Sequence, residues 1–154
     1  DKVVLDLGVG SGILSIVAMK LGWLHVVGCD LDPEALVVAK DNLKNNFVSP
    51  SLFIGTIDCV GSKSVGLLLA NLDAVTIRHL FPEINRILSP GASVVLSGML
   101  KDQVEATRSI FSETEYIVSE EQYLRGDAAK VLCEGCGPIV VDHTGKKVRE
   151  LNNG

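Results

Sequence analysis

The sequence lacks several features that would point to particular classes of protein. No run approaches the roughly 18 consecutive apolar residues of a membrane span, and no signal peptide is visible. There is no basic excess, because 14 Lys and Arg stand against 19 Asp and Glu, a net charge of −5. Such a balance disfavours general, charge-driven binding to nucleic acid or anionic lipid, although it leaves a local basic patch open. We therefore predict no direct nucleic-acid partner and no membrane partner.

Cysteine is also sparse and scattered. The chain has four cysteines, and their spacing predicts a reducing, cytoplasmic setting rather than a disulfide framework. Cys133 and Cys136 form a Cys-x-x-Cys pair, but a structural zinc site needs four ligands and there is no second pair. His143 is a possible third ligand. On balance the sequence predicts no metal site.

What is present predicts one α/β domain. The 154 residues are 47% apolar, which suits one buried core and strands covered on both faces. The first helix, 12–21, is apolar almost all round and is expected to be largely buried. Pro82 is expected to divide the helical segment between residues 73 and 88. Residues 116–118 and 129–133 are candidates for an antiparallel strand pair that closes the sheet.

The most informative stretch is the glycine-rich segment after the first strand. It reads Asp-Leu-Gly-Val-Gly-Ser-Gly and carries Asp6, Gly8, Gly10 and Gly12 between the apolar run 3–5 and an apolar helix. Strand, glycine turn and helix in this order present backbone N–H groups to a nucleotide-like ligand. In a dinucleotide fingerprint the third glycine would fall on Ile13, so the spacing differs from that motif. A glycine turn with no ligand is the plain alternative.

An acidic residue ends the second predicted strand. Asp30 is placed where a carboxylate accepts hydrogen bonds from ribose hydroxyls. Asp32 precedes Pro33, so we interpret it as the N-cap of the helix that runs to about residue 45.

The next two strand ends give weaker candidates. Thr56 and Ile57 follow the third strand, and Ile57 belongs either to the ligand site or simply to the core. Asn71 ends the apolar run 65–70, and ligands of open parallel sheets sit beyond the carboxyl ends of the strands.

These segments together resemble a known family. The Asp-x-Gly-x-Gly-x-Gly loop is similar to the first motif of the seven-stranded methyltransferases that use S-adenosyl-L-methionine (SAM). Ala-Asn-Leu at 70–72, Leu-Ser-Pro-Gly at 88–91 and Ser-Gly-Met-Leu-Lys-Asp at 97–102 resemble the lysine methyltransferases of ribosomal protein L11, from residue 3 to about 132.

The resemblance implies a fold and a site. The fold is a Rossmann-like, doubly wound α/β structure with a mostly parallel seven-stranded sheet and an antiparallel C-terminal strand pair. The activity is transfer of methyl groups from SAM to amines of a protein, a ribosomal protein being the suspected partner. Asn71 is implied as the catalytic residue that orients the amine. The implied cofactor residues are Asp6, Gly8, Gly10, Gly12, Asp30, Thr56, Ile57 and Asn71.

The resemblance also sets the expected domain organisation. Residues 1–133 form the catalytic domain without an N-terminal recognition segment, and residues 134–154 form a tail that is either a hairpin or partly disordered. Gly66 stands where the family usually has an aspartate, and this change is expected to loosen the loop beside adenine. Ala92 replaces the second glycine of a Pro-Gly-Gly turn, at little expected cost.

Two other functions stay open from the sequence. One is a non-catalytic binding module with a methyltransferase fold, since fold alone does not establish activity. The other is a nicotinamide-dependent oxidoreductase with the same strand, turn and acidic residue, which Ile13 disfavours.

Overall fold

A computed structural model describes residues 2–112, 117–121 and 139–142 of the chain. Helices and strands alternate from the first strand onward, as βαβ units require. Their bounds are β1 (Val3–Leu7), α1 (Ile13–Lys20), β2 (Val26–Asp30), α2 (Pro33–Asn45), β3 (Ser51–Ile54), a 3-10 turn (Ile57–Cys59), β4 (Val65–Asn71), α3 (Ala74–Ile87), β5 (Leu88–Ser97), α4 (Lys101–Ser112), β6 (Ile117–Glu121) and β7 (Ile139–Asp142).

Five strands form a parallel sheet in the order β3-β2-β1-β4-β5. The chain builds the sheet outward from β1, first on one side with β2 and β3 and then on the other with β4 and β5. β1 is therefore the central strand of these five, and its Leu5 pairs with both Val27 and Leu68. Both faces are covered: α1 and α2 contribute to two core clusters, and α3 and α4 to a third that contains Leu5 and Leu68. The predicted α/β Rossmann-like fold with a parallel sheet is confirmed.

Two short strands lie beyond β5. β7 pairs antiparallel with β5 through residues 93–96, and β6 pairs antiparallel with β7. The predicted strand at 116–118 overlaps β6, whereas the predicted strand at 129–133 lies outside the described residues. Most of the tail, including Cys133, Cys136 and His143, also lies outside them. A complete seven-stranded domain with an antiparallel closing pair therefore stays a prediction.

The expectation that α1 is largely buried is wrong. Its buried residues are Ser15, Ile16 and Ala18, whereas Ile13 and Val17 are 44% and 45% exposed. A helix that lies on a sheet buries only the face it turns toward the strands and the neighbouring helix. The apolar residues on the outer face of α1 thus reach solvent in the described structure.

Pro82 does not divide the helix at 73–88. The segment Ala74–Ile87 is one continuous helix with Pro82 inside it. Pro82 is exposed, so the carbonyl that loses its N–H partner lies on the side where water can replace it. Burial of Ile77, Ile84 and Ile87 on the opposite face holds the two halves together.

Gly66 lies at the beginning of β4, away from the carboxyl ends of the strands, so the expectation that it loosens the adenine loop is wrong. A Cβ on Gly66 would lie 2.5 Å from the Cβ of Lys2. The Lys2 side chain crosses this position, and its Nζ donates to the carbonyl of Gly91 at 3.2 Å. Glycine here makes room for Lys2.

No helix among the described residues is long and apolar enough to cross a membrane.

Candidate functional site

The glycine-rich loop turns sharply between β1 and α1. Gly8, Gly10 and Gly12 have φ angles of +74°, +49° and +82°, in the left-handed region that side chains disfavour. A Cβ on Gly8 would lie 2.8 Å from the Cδ2 of Leu72, so a side chain there would also collide with the end of β4. The predicted turn is confirmed, and it needs glycine for both backbone and space.

The loop is tied to β2 and α2. The backbone N–H groups of Gly8 and Val9 both donate to the carbonyl of Cys29 at 2.9 Å. The Nδ2 of Asn42 donates to the carbonyl of Ser11 at 2.9 Å. These bonds fix the loop before any ligand arrives, which reduces the ordering cost of binding.

Asp30 joins the loop to the end of β2. Its Oδ2 accepts from the N–H of Gly10 at 2.9 Å, and its Oδ1 accepts from the N–H of Asp32 at 3.0 Å. A carboxylate offers about four lone-pair sites, so each oxygen can still accept one more hydrogen bond. Asp30 is half-buried at the sheet rim, where two adjacent hydroxyls could use those sites.

Asp32 has a different task from Asp30. Its side chain accepts from the N–H of Glu34 at 2.8 Å, and Pro33 follows in the first helical position. The predicted N-cap of α2 is confirmed.

Asp6 is buried beneath the loop and contacts α1. It is 1% exposed, and its Oδ2 accepts from the backbone N–H of Ser15 at 2.9 Å and from its Oγ at 2.6 Å. Gly12 is the N-cap residue of α1 and has no side chain to bond the first turn, so the Asp6 carboxylate from β1 caps the helix instead. Among the described residues, its Oδ1 has no hydrogen-bond partner.

Burial decides the ionisation of Asp6. It raises the pKa of the carboxyl to about 6, against the opposing effect of its bonds from Ser15; the nearby Asp30 adds a smaller upward shift. Burial likewise raises the pKa of the Cys29 thiol to about 11, so that this cysteine is a neutral core residue at pH 7.

A cavity of about 140 Å³ opens at the carboxyl ends of four parallel strands. Its walls come from the ends of β1, β2, β3 and β4 and from α3, namely Leu7, Gly8, Cys29, Asp30, Leu31, Gly55, Thr56, Leu72, Thr76 and Leu80. Most of these side chains are apolar, with one carboxylate at the edge. A flat apolar group with polar substituents suits such a lining.

The structure brings some of the expected residues together and separates others. Gly8, Asp30 and Thr56 line the cavity. Ile57 is fully buried in the main core cluster and does not line it, which agrees with the core alternative for this side chain. Asn71 ends β4 beside Leu72 but is not part of the lining. A Cβ on Gly98 would lie only 2.6 Å from the Oδ1 of Asn71, so glycine at position 98 leaves room for the Asn71 side chain.

Sequence reasoning missed the wall that α3 supplies. Leu72, Thr76 and Leu80 are spaced four residues apart and lie at the cavity. Asp73 fixes this part of α3, because its carboxylate accepts from the N–H of Thr76 at 3.0 Å and from its Oγ1 at 2.6 Å. The spacing of four residues between these positions, directly after the end of β4, was the sequence signal for a helix face at the cavity.

No group of three or more His, Cys, Asp or Glu residues within the described part of the chain could hold a metal ion.

Comparison with known proteins places the site in a family. The family model described as ribosomal protein L11 methyltransferase (PrmA) matches residues 1–127. A second model, for a family of unknown function, matches residues 111–154. The PrmA match includes β1 to β5, the glycine loop and every residue that lines the cavity.

Individual relatives agree with that match. The chain is 38% identical over 110 residues to the ribosomal protein L11 methyltransferase of Hahella chejuensis, covering 71% of this chain and 38% of the relative. It is 33% identical over 129 residues to that of Haemophilus influenzae, covering 81% and 44%. It thus spans less than half the length of these curated relatives.

A solved structure agrees in fold. The ribosomal protein L11 methylase of Lactobacillus delbrueckii subsp. bulgaricus superposes with a TM-score of 0.73 at 25% identity, covering 91% of this chain and 68% of that one. The chain belongs to the ribosomal protein L11 methyltransferase (PrmA) family.

Proposed function

We propose that this chain is the SAM-binding catalytic domain of a protein methyltransferase that acts on amines, either lysine side chains or the N-terminus of a ribosomal protein. The observation that carries the proposal is the convergence of the glycine loop, Asp30 and the apolar cavity at one rim of the sheet. Membership of the family and the names of the relatives support the reaction and the substrate class.

The residues at the rim suit the parts of SAM. The free lone pairs of Asp30 would accept the ribose hydroxyls, and the cavity between Leu31, Thr56 and Leu80 would hold the adenine ring. A Cβ on Gly10 would meet only the carbonyl of Gly8, at 3.8 Å, so the loop surface is open to close approach by a ligand. The methionine portion belongs over this surface, along Gly8, Gly10 and Gly12.

The size of the cavity fits part of the cofactor. Sites that enclose a drug-sized ligand measure roughly 300–1,000 Å³. At about 140 Å³ the cavity suits the base, while the ribose and amino acid would extend out of it past Asp30 and the glycine loop.

Asp6 would act on the cofactor only through the loop. Its buried carboxylate holds the start of α1, so it positions Gly8 to Gly12 rather than touching a ligand in the cavity. For Ile57, the proposed contribution is to anchor Thr56 from the core.

The transfer itself makes modest demands on the protein. SAM supplies a methyl group that is already activated on a sulfonium, so the chain must align the acceptor and exclude water. A lysine acceptor must first lose a proton, which costs about 4–5 kcal/mol at pH 7 from an ordinary pKa near 10.4. Asn71 would orient the neutral amine with its side-chain carbonyl or adjacent backbone, since an amide is not a general base.

For the whole chain we propose the family's arrangement. Residues 1–133 would form the catalytic domain, and the tail at 134–154 would add β7 to its sheet, which then has seven strands and an antiparallel closing pair. The pairing of β7 with β5 and of β6 with β7 supports the closing pair, and the match of a separate family model to residues 111–154 supports a distinct C-terminal part. Cytoplasmic location and the absence of nucleic-acid and membrane partners stay predictions from the sequence.

Calorimetry with S-adenosyl-L-homocysteine, the product form of the cofactor, tests the binding step. We expect one ligand to bind per chain. No binding at millimolar ligand to a folded chain would reject the proposal. NADH serves as the control ligand, and binding of NADH alone would favour the oxidoreductase alternative.

Transfer of a labelled methyl group from SAM into a mixture of ribosomal proteins tests the reaction. Label in lysine or at an N-terminus supports the proposed acceptor. Label in glutamine or nucleic acid alone would overturn the acceptor but keep the cofactor. Binding of the cofactor without any methyl transfer would favour the non-catalytic alternative.

A further inference from the structure

Arg86 connects α3 to the segment that follows the third strand. Its Nη1 donates to the carbonyl of Val60 at 2.8 Å and to the Oγ of Ser62 at 3.2 Å. Its Nη2 donates to the carbonyl of Ile57 at 3.2 Å. One side chain therefore holds three points of the segment 57–62.

A second residue orients the guanidinium. The Nε of Arg86 donates to the carboxylate of Glu83, one turn earlier on α3, at 2.5 Å. The planar guanidinium presents its donors in a fixed geometry, so pinning Nε also aims the two terminal nitrogens at the segment. The Arg86 side chain is 32% exposed, so the surrounding protein covers most of it.

The segment that Arg86 holds begins at the cavity wall. Thr56 lines the cavity, and its carbonyl accepts from the N–H of Cys59 at 3.0 Å within the 3-10 turn. Thr76 and Leu80 of α3 form another wall of the same cavity. Arg86 belongs to α3 and binds the turn that continues from Thr56, so it links these two walls.

We propose that Arg86 is a positioning residue for the nucleoside half of the cofactor, setting the separation between Thr56 and α3. The inference rests on the proposed function, because it assumes that the adenosine group occupies this cavity. Arg86 does not line the cavity and acts through the turn at 57–59.

The far end of the segment has its own attachment. The N–H groups of Lys63 and Ser64 donate to the carbonyls of Arg86 and Ile87 at 3.0 and 2.9 Å. These backbone bonds survive any substitution of the Arg86 side chain. An Arg86→Ala chain is therefore expected to fold, with only residues 57–62 released from α3.

The test measures affinity for two ligands that share the adenosine group, S-adenosyl-L-homocysteine and 5′-methylthioadenosine. Arg86→Ala is expected to weaken both by about tenfold, equivalent to 1.4 kcal/mol of binding free energy. The matched control is Arg78→Ala, on the same helix, because among the described residues the Nε of Arg78 bonds only within α3, to the carbonyl of Ala74 at 3.3 Å. It should bind both ligands as the unmodified chain does.

Two further measurements separate positioning from general stability. Binding is measured well below the unfolding temperature of each variant, where a chain that is merely less stable still binds fully. Arg86→Lys keeps a cation but offers a single point of attachment, so it should recover part of the affinity.

Wild-type affinity for both ligands in a folded Arg86→Ala chain would overturn the inference, as would an equal loss in Arg78→Ala. If the unmodified chain binds neither ligand, the proposed function is wrong and this inference falls with it.

Discussion

Asp30 and Asp32 provide the sharpest contrast in the site, because two carboxylates two residues apart are assigned different tasks. Asp30 bonds to the N–H of Gly10 at the rim, whereas Asp32 caps α2 through the N–H of Glu34. Alanine at position 30 should remove cofactor affinity, and alanine at position 32 should remove helix stability.

The magnitudes follow from the bonds that each change deletes. A hydrogen bond to a charged group is worth about 1.5–3 kcal/mol, so losing one bond from Asp30 to ribose weakens binding by roughly 10–150-fold. Losing the bond to Gly10 loosens the loop and adds to that loss. Replacing an N-cap aspartate by alanine costs typically about 1 kcal/mol of folding free energy and nothing directly in binding.

Calorimetric titration with S-adenosyl-L-homocysteine and urea unfolding of the same samples measure the two effects. Asp30→Asn is the intermediate variant, because its amide keeps one acceptor oxygen. The reasoning is refuted if Asp30→Ala binds within twofold of the unmodified chain, or if Asp32→Ala loses as much affinity as Asp30→Ala.

Two other substitutions test the loop and its support. Gly12→Ala should cost more folding free energy than Gly22→Ala. Both glycines have positive φ, where a side chain adds a backbone strain of about 1–2 kcal/mol. Only at Gly12 would the new Cβ also meet Ala39, at 3.3 Å. Equal costs by urea unfolding would contradict this. Asp6→Asn should gain roughly 2.5 kcal/mol of folding free energy relative to the unmodified chain as pH rises from 4 to 7, because a pKa raised from 3.8 to about 6 makes the unmodified folded state lose stability over most of that interval. A pH-independent difference would contradict it.

The parts of the fold that the sequence predicted have local causes. Glycines at the alternate positions 8, 10 and 12 predicted a turn, and Asp32 before Pro33 predicted the start of a helix. The end of β4 at Asn71 followed from the continuous apolar run before it. Each of these features depends on neighbours in the chain, so one sequence was enough.

The features that the sequence could not decide depend on contacts between distant segments. Which face of α1 reaches solvent depends on how the helix lies over the sheet, and the apolar composition of α1 does not predict that orientation. Ile57 could pack inward or toward a ligand, and its place in the main core depends on residues from several distant segments. Gly66 makes room for Lys2, a residue 64 positions away in the sequence, and no local pattern predicts that contact.

The site divides in the same way. Asp30 and the glycines were predictable because strand ends and turn residues mark them. Leu80 and Arg86 were not, since they reach the cavity and its supporting turn from a helix whose placement depends on the whole core.

We propose that one rim of the sheet binds the sulfonium nucleoside SAM. Amide chemical shifts recorded during titration with S-adenosyl-L-homocysteine test it most directly. We expect the largest changes at Gly8, Gly10, Asp30, Leu31 and Thr56, which lie together at the carboxyl ends of β1 to β3. Changes confined to the opposite end of the sheet, near Lys2 and Gly66, or no change in a folded chain, would contradict it.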